Sequence, residues 1–461
     1  LALTTLILAS VGCASQSAYA DYSLAPSIPP ANSNANTALA GPTSSSTLSQ
    51  EELTALSARA PDPYFQPKGI PLGGPFRLFT DLFTGVAYDS NVYRSVNAPK
   101  NDIFFDINPT VVLDYNTARL RLDLYGVGDF NEYTKVTQLD TSDYNFGLRG
   151  QYLISGASTA TGSVSYAKLT EPLSSSSVTA GQQSPSSYNL FDANGQVSFK
   201  PNRLGITIGG SVDSYGYLNT TVGGHPFGNK DRDNNLYKGF TEVSYDFSPG
   251  YSAFIRGTYN NDKYRPGPDR AGILRSSHGF QVDGGVDLLL GNLIQGELYA
   301  GYVDQDYNHH QTFTLPADPL HTPRTLHDLS GLDFGANLSW YPTELLTVTL
   351  GASRQLQNTT LAGASAGDDR GVVLGANYEL TRRIQLLAHA QYDDTFYKGT
   401  AIAGVQPNRD DKTLDLGLGG KWLISHYVYA TLNYDHTDRS STIHAAGYHD
   451  DMVMVGINLQ I

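Results

Sequence analysis

RLRLDLYGVGDFN, residues 119–131, alternates apolar and polar side chains along most of its length. Leu120, Leu122, Leu124 and Phe130 share one parity, and Arg119, Arg121, Asp123, Tyr125 and Asp129 share the other. Successive side chains of a strand point to opposite faces, so this segment read as a strand has one apolar and one wettable surface. The pattern returns in Leu414, Leu416, Leu418 and Trp422 against Thr413, Asp415 and Lys421, and in Val428, Ala430, Leu432 and Tyr434 against Tyr429, Thr431, Asn433 and Asp435. Segments of about ten residues built this way recur about eighteen times from Phe76 to the last residue, as a membrane-spanning β-barrel requires. A soluble sandwich also alternates, but it buries its apolar face against a second sheet and has no use for so many equally long strands.

The connections alternate as strictly as the side chains. Tight turns fall near Asn116-Thr117, Ser155-Gly156, Pro201-Asn202, Ser248-Pro249, Gly291-Asn292, Pro342-Thr343, Thr381-Arg382 and Ser425-His426. Longer polar stretches lie between them, near 94–101, 134–142, 172–187, 219–232, 265–277, 308–327, 359–368, 398–410 and 440–449. This predicts an all-β, up-and-down antiparallel transmembrane barrel of about eighteen strands with both termini periplasmic; one weak hairpin would reduce it to sixteen. Aromatic residues fall in two bands. Tyr144, Tyr188, Tyr237, Tyr302, Tyr392 and Tyr434 stand near long-loop ends, and Tyr115, Tyr152, Phe199, Tyr245, Trp340, Tyr378 and Trp422 near short-turn ends. Two such girdles match the headgroup levels of a bilayer.

Composition agrees. Only 16% of the 461 residues are charged, and after the first dozen residues there is no apolar run long enough for a membrane helix. The formal charge of −14 argues against a nucleic-acid partner. Residues 1–20 read as a signal peptide, with an apolar Leu1–Gly12 core and an Ala18-Tyr19-Ala20 cleavage site. Cys13, the single cysteine, is the alternative site of processing by lipidation. Residues 21–75 are rich in Pro, Ser, Ala and Asn and read as a periplasmic extension, with one short helix near 50–58 capped by Ser49 and Glu52. The barrel then occupies 76–461.

The final segment alternates Val453, Val455, Ile457, Leu459 and Ile461 up to the carboxyl terminus. Gly456, Leu459 and Ile461 resemble the terminal β-signal that the barrel assembly machinery recognises, although the usual terminal aromatic is absent. At the other end, YFQPKGIPLG (64–73) is followed by GVAYDSNVYR (85–94). Gly69, Tyr88, Asp89, Asn91, Tyr93 and Arg94 in these segments resemble the opening motif of the proteobacterial family called putative outer-membrane β-barrel porin 2. The resemblance continues as a hairpin pattern to the C-terminus. It implies an outer-membrane barrel, with some members linked to exopolysaccharide production and export, and it supplies no catalytic residues.

Chemistry is otherwise sparse. GASAG (363–367) matches the nucleophile-elbow string but lies in a predicted loop rather than a strand-to-helix turn. His309, His310, His321 and His327 cluster in or beside the longest loop as weak metal candidates, at spacings that match no structural zinc pattern. Neither the residues nor the resemblance implies a cofactor. Acidic residues gather at loop-side strand ends, among them Asp89, Asp262, Asp304, Asp306, Asp410, Asp411, Asp435, Asp450 and Asp451. Carboxylates there would hold Ca²⁺ or Mg²⁺ bridging to lipopolysaccharide, or simply be solvated. The inward parity carries Arg119, Arg121, Asp123, Arg149, Lys238, Glu242, Arg256, Asp283, Asp287, Glu297, Asp333, Glu379, Arg383, Asp415 and Lys421 as pore-lining candidates. Charges on that face require water or cross-strand pairing. Acids modestly outnumber bases over the whole inward set, which disfavours strong anion selectivity.

Taken together, these features predict a pore and not an enzyme. The favoured expectation is a passive conduit in exopolysaccharide export, with residues 21–75 meeting a periplasmic export partner. The alternatives are a general or sugar-type diffusion porin, and a plugged structural barrel or surface adhesin.

Overall fold

The computed structural model describes residues 67–178, 182–265, 267–291, 293–307, 312–314, 320–402 and 407–461. The signal segment, the extension up to residue 66 with its expected helix, and His309 and His310 lie outside the described residues.

The strands are β1 (Ile70–Gly73), β2 (Phe76–Asp89), β3 (Asp102–Asn116), β4 (Leu120–Tyr133), β5 (Thr141–Ser155), β6 (Ser158–Glu171) and β7 (Ser186–Phe199). They continue with β8 (Leu204–Tyr217), β9 (Thr220–Val222), β10 (His225–Phe227), β11 (Asn234–Ser248), β12 (Tyr251–Tyr264), β13 (Ser277–Leu290) and β14 (Ile294–Tyr307). The last are β15 (Leu329–Thr343), β16 (Leu346–Gln357), β17 (Gly367–Thr381), β18 (Ile384–Tyr397), β19 (Arg409–Leu423), β20 (Val428–Ser441) and β21 (Tyr448–Gln460). Apart from the short β1, β9 and β10, these make eighteen long strands, each antiparallel to its neighbour in sequence. β2 also pairs with β21, from Asp81 opposite Gln460 to Asp89 opposite Met452, so the sheet closes on itself. The count is eighteen and not sixteen. β1 was not expected: residues 70–73, inside the segment read as irregular, fold back on Phe76–Leu78.

One closed sheet has no second layer to bury its apolar face, and the burial is inverted accordingly. Leu332 and Leu418 on the outer face are 65% and 64% exposed, whereas the inward Arg256 and Gln305 are 1% and 0% exposed. An aliphatic side chain gains about 1.5–3 kcal/mol on leaving water, so an outer surface of this kind belongs in hydrocarbon. Strands of twelve to fifteen residues exceed the roughly 9–11 that a tilted strand needs to cross a bilayer, so the wall continues beyond the membrane.

Tyr237, Tyr302, Tyr392 and Tyr434 face outward near the long-loop ends, and Tyr152, Phe199, Tyr245, Trp340, Tyr378 and Trp422 face outward near the short turns. Tyr188 departs from its expected girdle: it is buried on the inner face with Tyr215 and Tyr217, at ring-centroid distances of 6.0 and 5.3 Å. Tyrosine suits both a headgroup and a polar interior, so its parity within the strand, and not its residue type, decides the side.

Inside, aromatic rings lie across neighbouring glycines. A Cβ added at Gly456 would stand 2.2 Å from the ring of Phe83, which is fully buried. The glycine of the expected assembly signal thus makes room for an aromatic of the first barrel strand. Leu459 and Ile461 point outward at 49% and 43% exposure.

Candidate functional site

The opening motif builds the seam. Asp89 ends β2, Asn91 and Arg94 follow in the first long loop, and all three meet Asp450 of β21. The Asn91 backbone N–H donates to Asp89 Oδ1 (2.8 Å) and to Asp450 Oδ1 (2.9 Å). The Asn91 side-chain amide donates to the carbonyls of Ser95 and His449, both at 2.9 Å. Arg94 Nη1 reaches Asp89 Oδ1 at 3.0 Å and Asp450 Oδ2 at 2.7 Å. Burial opposes the Arg94 charge, but the two carboxylates outweigh it and hold its pKa above the ordinary range. Arg94 adopts φ 52°, a left-handed conformation uncommon for a side-chain-bearing residue and held here by those contacts. Tyr88 points outward, and Tyr93 accepts a hydrogen bond from Gln138. Gly69, at φ 65°, packs where a Cβ would stand 2.6 Å from the Phe79 ring.

Several charges on the inner wall are paired in clusters. Arg121 lies between Asp114 (3.4 Å) and Asp123 (3.7 Å), and Arg149 donates to Asp123 at 2.8 Å. Across β11 to β14, Arg256 bridges Glu242 at 2.9 Å and Glu297 at 3.2 Å, with its guanidinium 4.6 Å from the Phe254 ring. The Gln281 amide joins Asp283 (2.9 Å) to Asp333 (2.6 Å). Lys421 sits 4.0 Å from the Tyr429 ring. Lys238, Asp287, Glu379 and Asp415 also occupy the parity opposite the exposed apolar set.

Arg119 and Arg383 do not join them. Both are exposed in the short turns, one between β3 and β4 and the other between β17 and β18. Parity carries no meaning once the strand has ended. Conversely Asp89, Asp262, Asp411, Asp435 and Asp450, read as rim residues, are buried in the wall. The strands run past the membrane, so their loop-side ends still enclose an interior.

The long-loop mouth is covered. The loop between β6 and β7 meets the loop between β16 and β17: Ser176 Oγ lies 3.1 Å from Thr359 Oγ1, and Thr360 Oγ1 donates to the Ser177 carbonyl at 3.3 Å. Eight strands separate these loops one way round the barrel and ten the other, so the contact is nearly diametric. Arg439 of β20 donates to the Ser174 carbonyl on the same crossing segment. Arg275 donates to the carbonyls of Leu361 and Ala364, both at 3.1 Å, and Asn358 donates to Asp262 at 2.6 Å. Beneath them Ile273, Phe313, Leu326, Ala366 and Ile402, from four different loops, pack into one apolar knot with Tyr307 and Leu356. Arg232 adds a two-pronged pair to Glu171, 2.8 Å on each arm, and stacks 3.9 Å from the Tyr217 ring. These clamping arginines carry no sequence signature; only the folded loops bring them to their acceptors.

GASAG is part of this cover. Ser365 Oγ donates to the His327 carbonyl at 2.6 Å and accepts from the His327 N–H at 2.9 Å, so the hydroxyl ties two loops and meets no imidazole nitrogen. His321 and His327 are exposed, and among the described residues they belong to no group of three metal-ligating side chains. One such group exists elsewhere, on the inner wall: His389, Asp415 and Asp435.

A closed amphiphilic barrel with an apolar outside, a charged inside and folded loops at one mouth defines a porin-like protein of the outer membrane. Residues 62–461 match the family described as putative beta-barrel porin 2, and the chain belongs to that family. No curated protein matches it. Among solved structures it is similar to OccK3 (OpdO) of Pseudomonas aeruginosa, at 10% identity and TM-score 0.43, covering 83% of this chain and 96% of that one. It is also similar to the copper transporter OprC, at 12% identity and TM-score 0.43, covering 87% and 82%. The ferric citrate transporter FecA in its unliganded form matches at 10% identity and TM-score 0.41, and the alignment covers 78% of this chain but only 60% of that one.

Proposed function

We propose that this chain is a narrow outer-membrane diffusion channel for small hydrophilic solutes that are uncharged or cationic. The observation that carries the reading is the crossing of the mouth by the loops after β6 and β16, joined through Ser176–Thr359 and Ser177–Thr360. A path so covered suits solutes that slip between loops. Inward carboxylates such as Asp283, Asp333, Asp415 and Asp435 add a negative potential that favours cations.

A permanently open conduit for exopolysaccharide, the reading the family resemblance favours, gains no support from this mouth. Polymer export would need the loops to swing aside as a unit. Orientation with the long loops outside and the termini in the periplasm is part of the proposal, as is the bridging of rim carboxylates to lipopolysaccharide by Ca²⁺ or Mg²⁺.

Liposome swelling tests it. Vesicles carrying the full chain should swell in monosaccharides and slowly in disaccharides, and hold their volume in dextran. Deleting residues 174–184 should admit larger oligosaccharides. Dextran entry through the unaltered chain would contradict the reading.

A further inference from the structure

The geometry points to a divalent metal site on the inner wall, formed by His389, Asp415 and Asp435, that takes one first-row transition ion of the Zn²⁺ type. The three residues come from β18, β19 and β20, near the middle of each strand, and their ligand atoms all lie within 4.8 Å of one another. Gly417 of β19 is the register partner of His389 on one side and of Asp435 on the other. A Cβ at that position would stand 1.9 Å from His389 Cε1 and 2.7 Å from Asp435 Oδ1. The glycine therefore opens the space in which imidazole and carboxylate approach each other.

Two donor atoms are poised without partners. Asp435, only 8% exposed, buries its Oδ1 with no hydrogen bond, and His389 Nδ1 is likewise buried and unsatisfied. An orphaned carboxylate oxygen in a wall is costly, and a cation relieves it. Among the described residues no lysine or arginine pairs with Asp415 or Asp435; Asp415 meets only His389 Nε2, at 2.5 Å, and the hydroxyl of Thr437, which donates to its Oδ2 at 2.6 Å. That hydroxyl fixes the carboxylate as an outer partner commonly fixes a metal ligand. Other carboxylates of the wall, Asp123 beside Arg149 and Glu242 beside Arg256, do have guanidinium partners.

The donor set selects the ion. One imidazole nitrogen with two carboxylates, leaving further positions to water, suits Zn²⁺ and its first-row neighbours. Ca²⁺ and Mg²⁺ prefer six or more oxygens and gain little from imidazole. Either ring nitrogen of His389 can be the ligand: Nδ1 is open, whereas Nε2 must first part from Asp415 Oδ1, 2.5 Å away, because ligands about 2.0–2.2 Å from one ion stand farther apart than that. The site stands whether or not the lumen conducts, because binding is read on the purified chain.

The test uses the untagged full chain folded in detergent, stripped with chelator and titrated at pH 7.5 with Zn²⁺ by calorimetry and with Co²⁺ by visible absorption. One ion per chain is expected, undisturbed by equimolar Mg²⁺. His389→Gln and Asp435→Asn should each weaken binding by more than the roughly 10–100-fold that loss of an outer partner costs, and Thr437→Val by about that amount. Gly417→Ala should act like the loss of a ligand. X-ray absorption of the Zn²⁺-loaded unaltered chain, which needs no variant to fold, should show a single imidazole shell with oxygens at about 2.0–2.2 Å. An unaltered chain that binds no Zn²⁺, binding untouched by both ligand variants, or a shell of oxygens alone would overturn the proposal.

Discussion

Arg94 and Asp450 join the two ends of the barrel: 356 residues apart in sequence, their side chains meet at 2.7 Å across the seam between the first and last long strands. The segment from Asp89 to Arg94 is thus the fastening of the cylinder. Asp89 and Asp450 are both buried in the wall, and Arg94 is the cation that meets both.

Replacing that cation should loosen the seam. Arg94→Met leaves two buried carboxylates unpaired, and removal of one partner of a buried pair costs about 3–5 kcal/mol. Equilibrium unfolding by guanidinium in detergent should show a loss of that order, with Arg94→Lys recovering part of it through charge without the planar fork. An unchanged midpoint for Arg94→Met would mean that the backbone ladder alone closes the barrel.

Arg256 is the corresponding cation within the wall. Arg256→Met should destabilise the barrel by about 3–5 kcal/mol, because Glu242 and Glu297 then lose the guanidinium that bridges them. Combining it with Glu242→Gln and Glu297→Gln should restore most of the loss. A triple variant no more stable than the single one would show that the packing of Arg256 against Phe254 matters more than its charge.

The only two tryptophans, Trp340 and Trp422, both face outward near the short turns. In reconstituted vesicles, lipids brominated near the headgroup should quench the fluorescence strongly, and aqueous acrylamide weakly. Strong acrylamide quenching would put those rings in water and deny the lipid-facing surface.

Ser365 should prove structural. Its hydroxyl makes two hydrogen bonds to the His327 backbone, so Ser365→Ala is expected to cost about 1–2 kcal/mol. Ester substrates incubated with either form should turn over no faster than in buffer. Turnover abolished by the substitution would reopen the nucleophile reading.

Much of this architecture is legible in the chain because period-two alternation and turn chemistry are local. Leu120, Leu122 and Leu124 announce an outer face, and seven of the eight short turns fall where Asn, Pro, Ser or Gly interrupt the pattern, Thr381-Arg382 being the eighth. What escapes is long-range. Parity carried Arg119 and Arg383 into the lumen because it cannot mark where a strand stops. Asp262 and Asp435 look like rim residues in the sequence because the wall's extension past the membrane leaves no trace in composition. Arg275, which holds the loop at residues 361–364, looks like any loop cation until its acceptors arrive. The group of His389, Asp415 and Asp435 depends on the register of three strands, with Gly417 between two of its members. None of these residues is unusual alone.

The proposed function requires a hydrophilic path through the cylinder, narrowed by loops that meet over one mouth. Planar-bilayer recording of the full chain across a KCl gradient tests it most directly. Small, discrete conductance steps are expected, with a reversal potential on the cation side, and larger steps when residues 174–184 are deleted. No current from either form, or a reversal potential on the anion side, would contradict it.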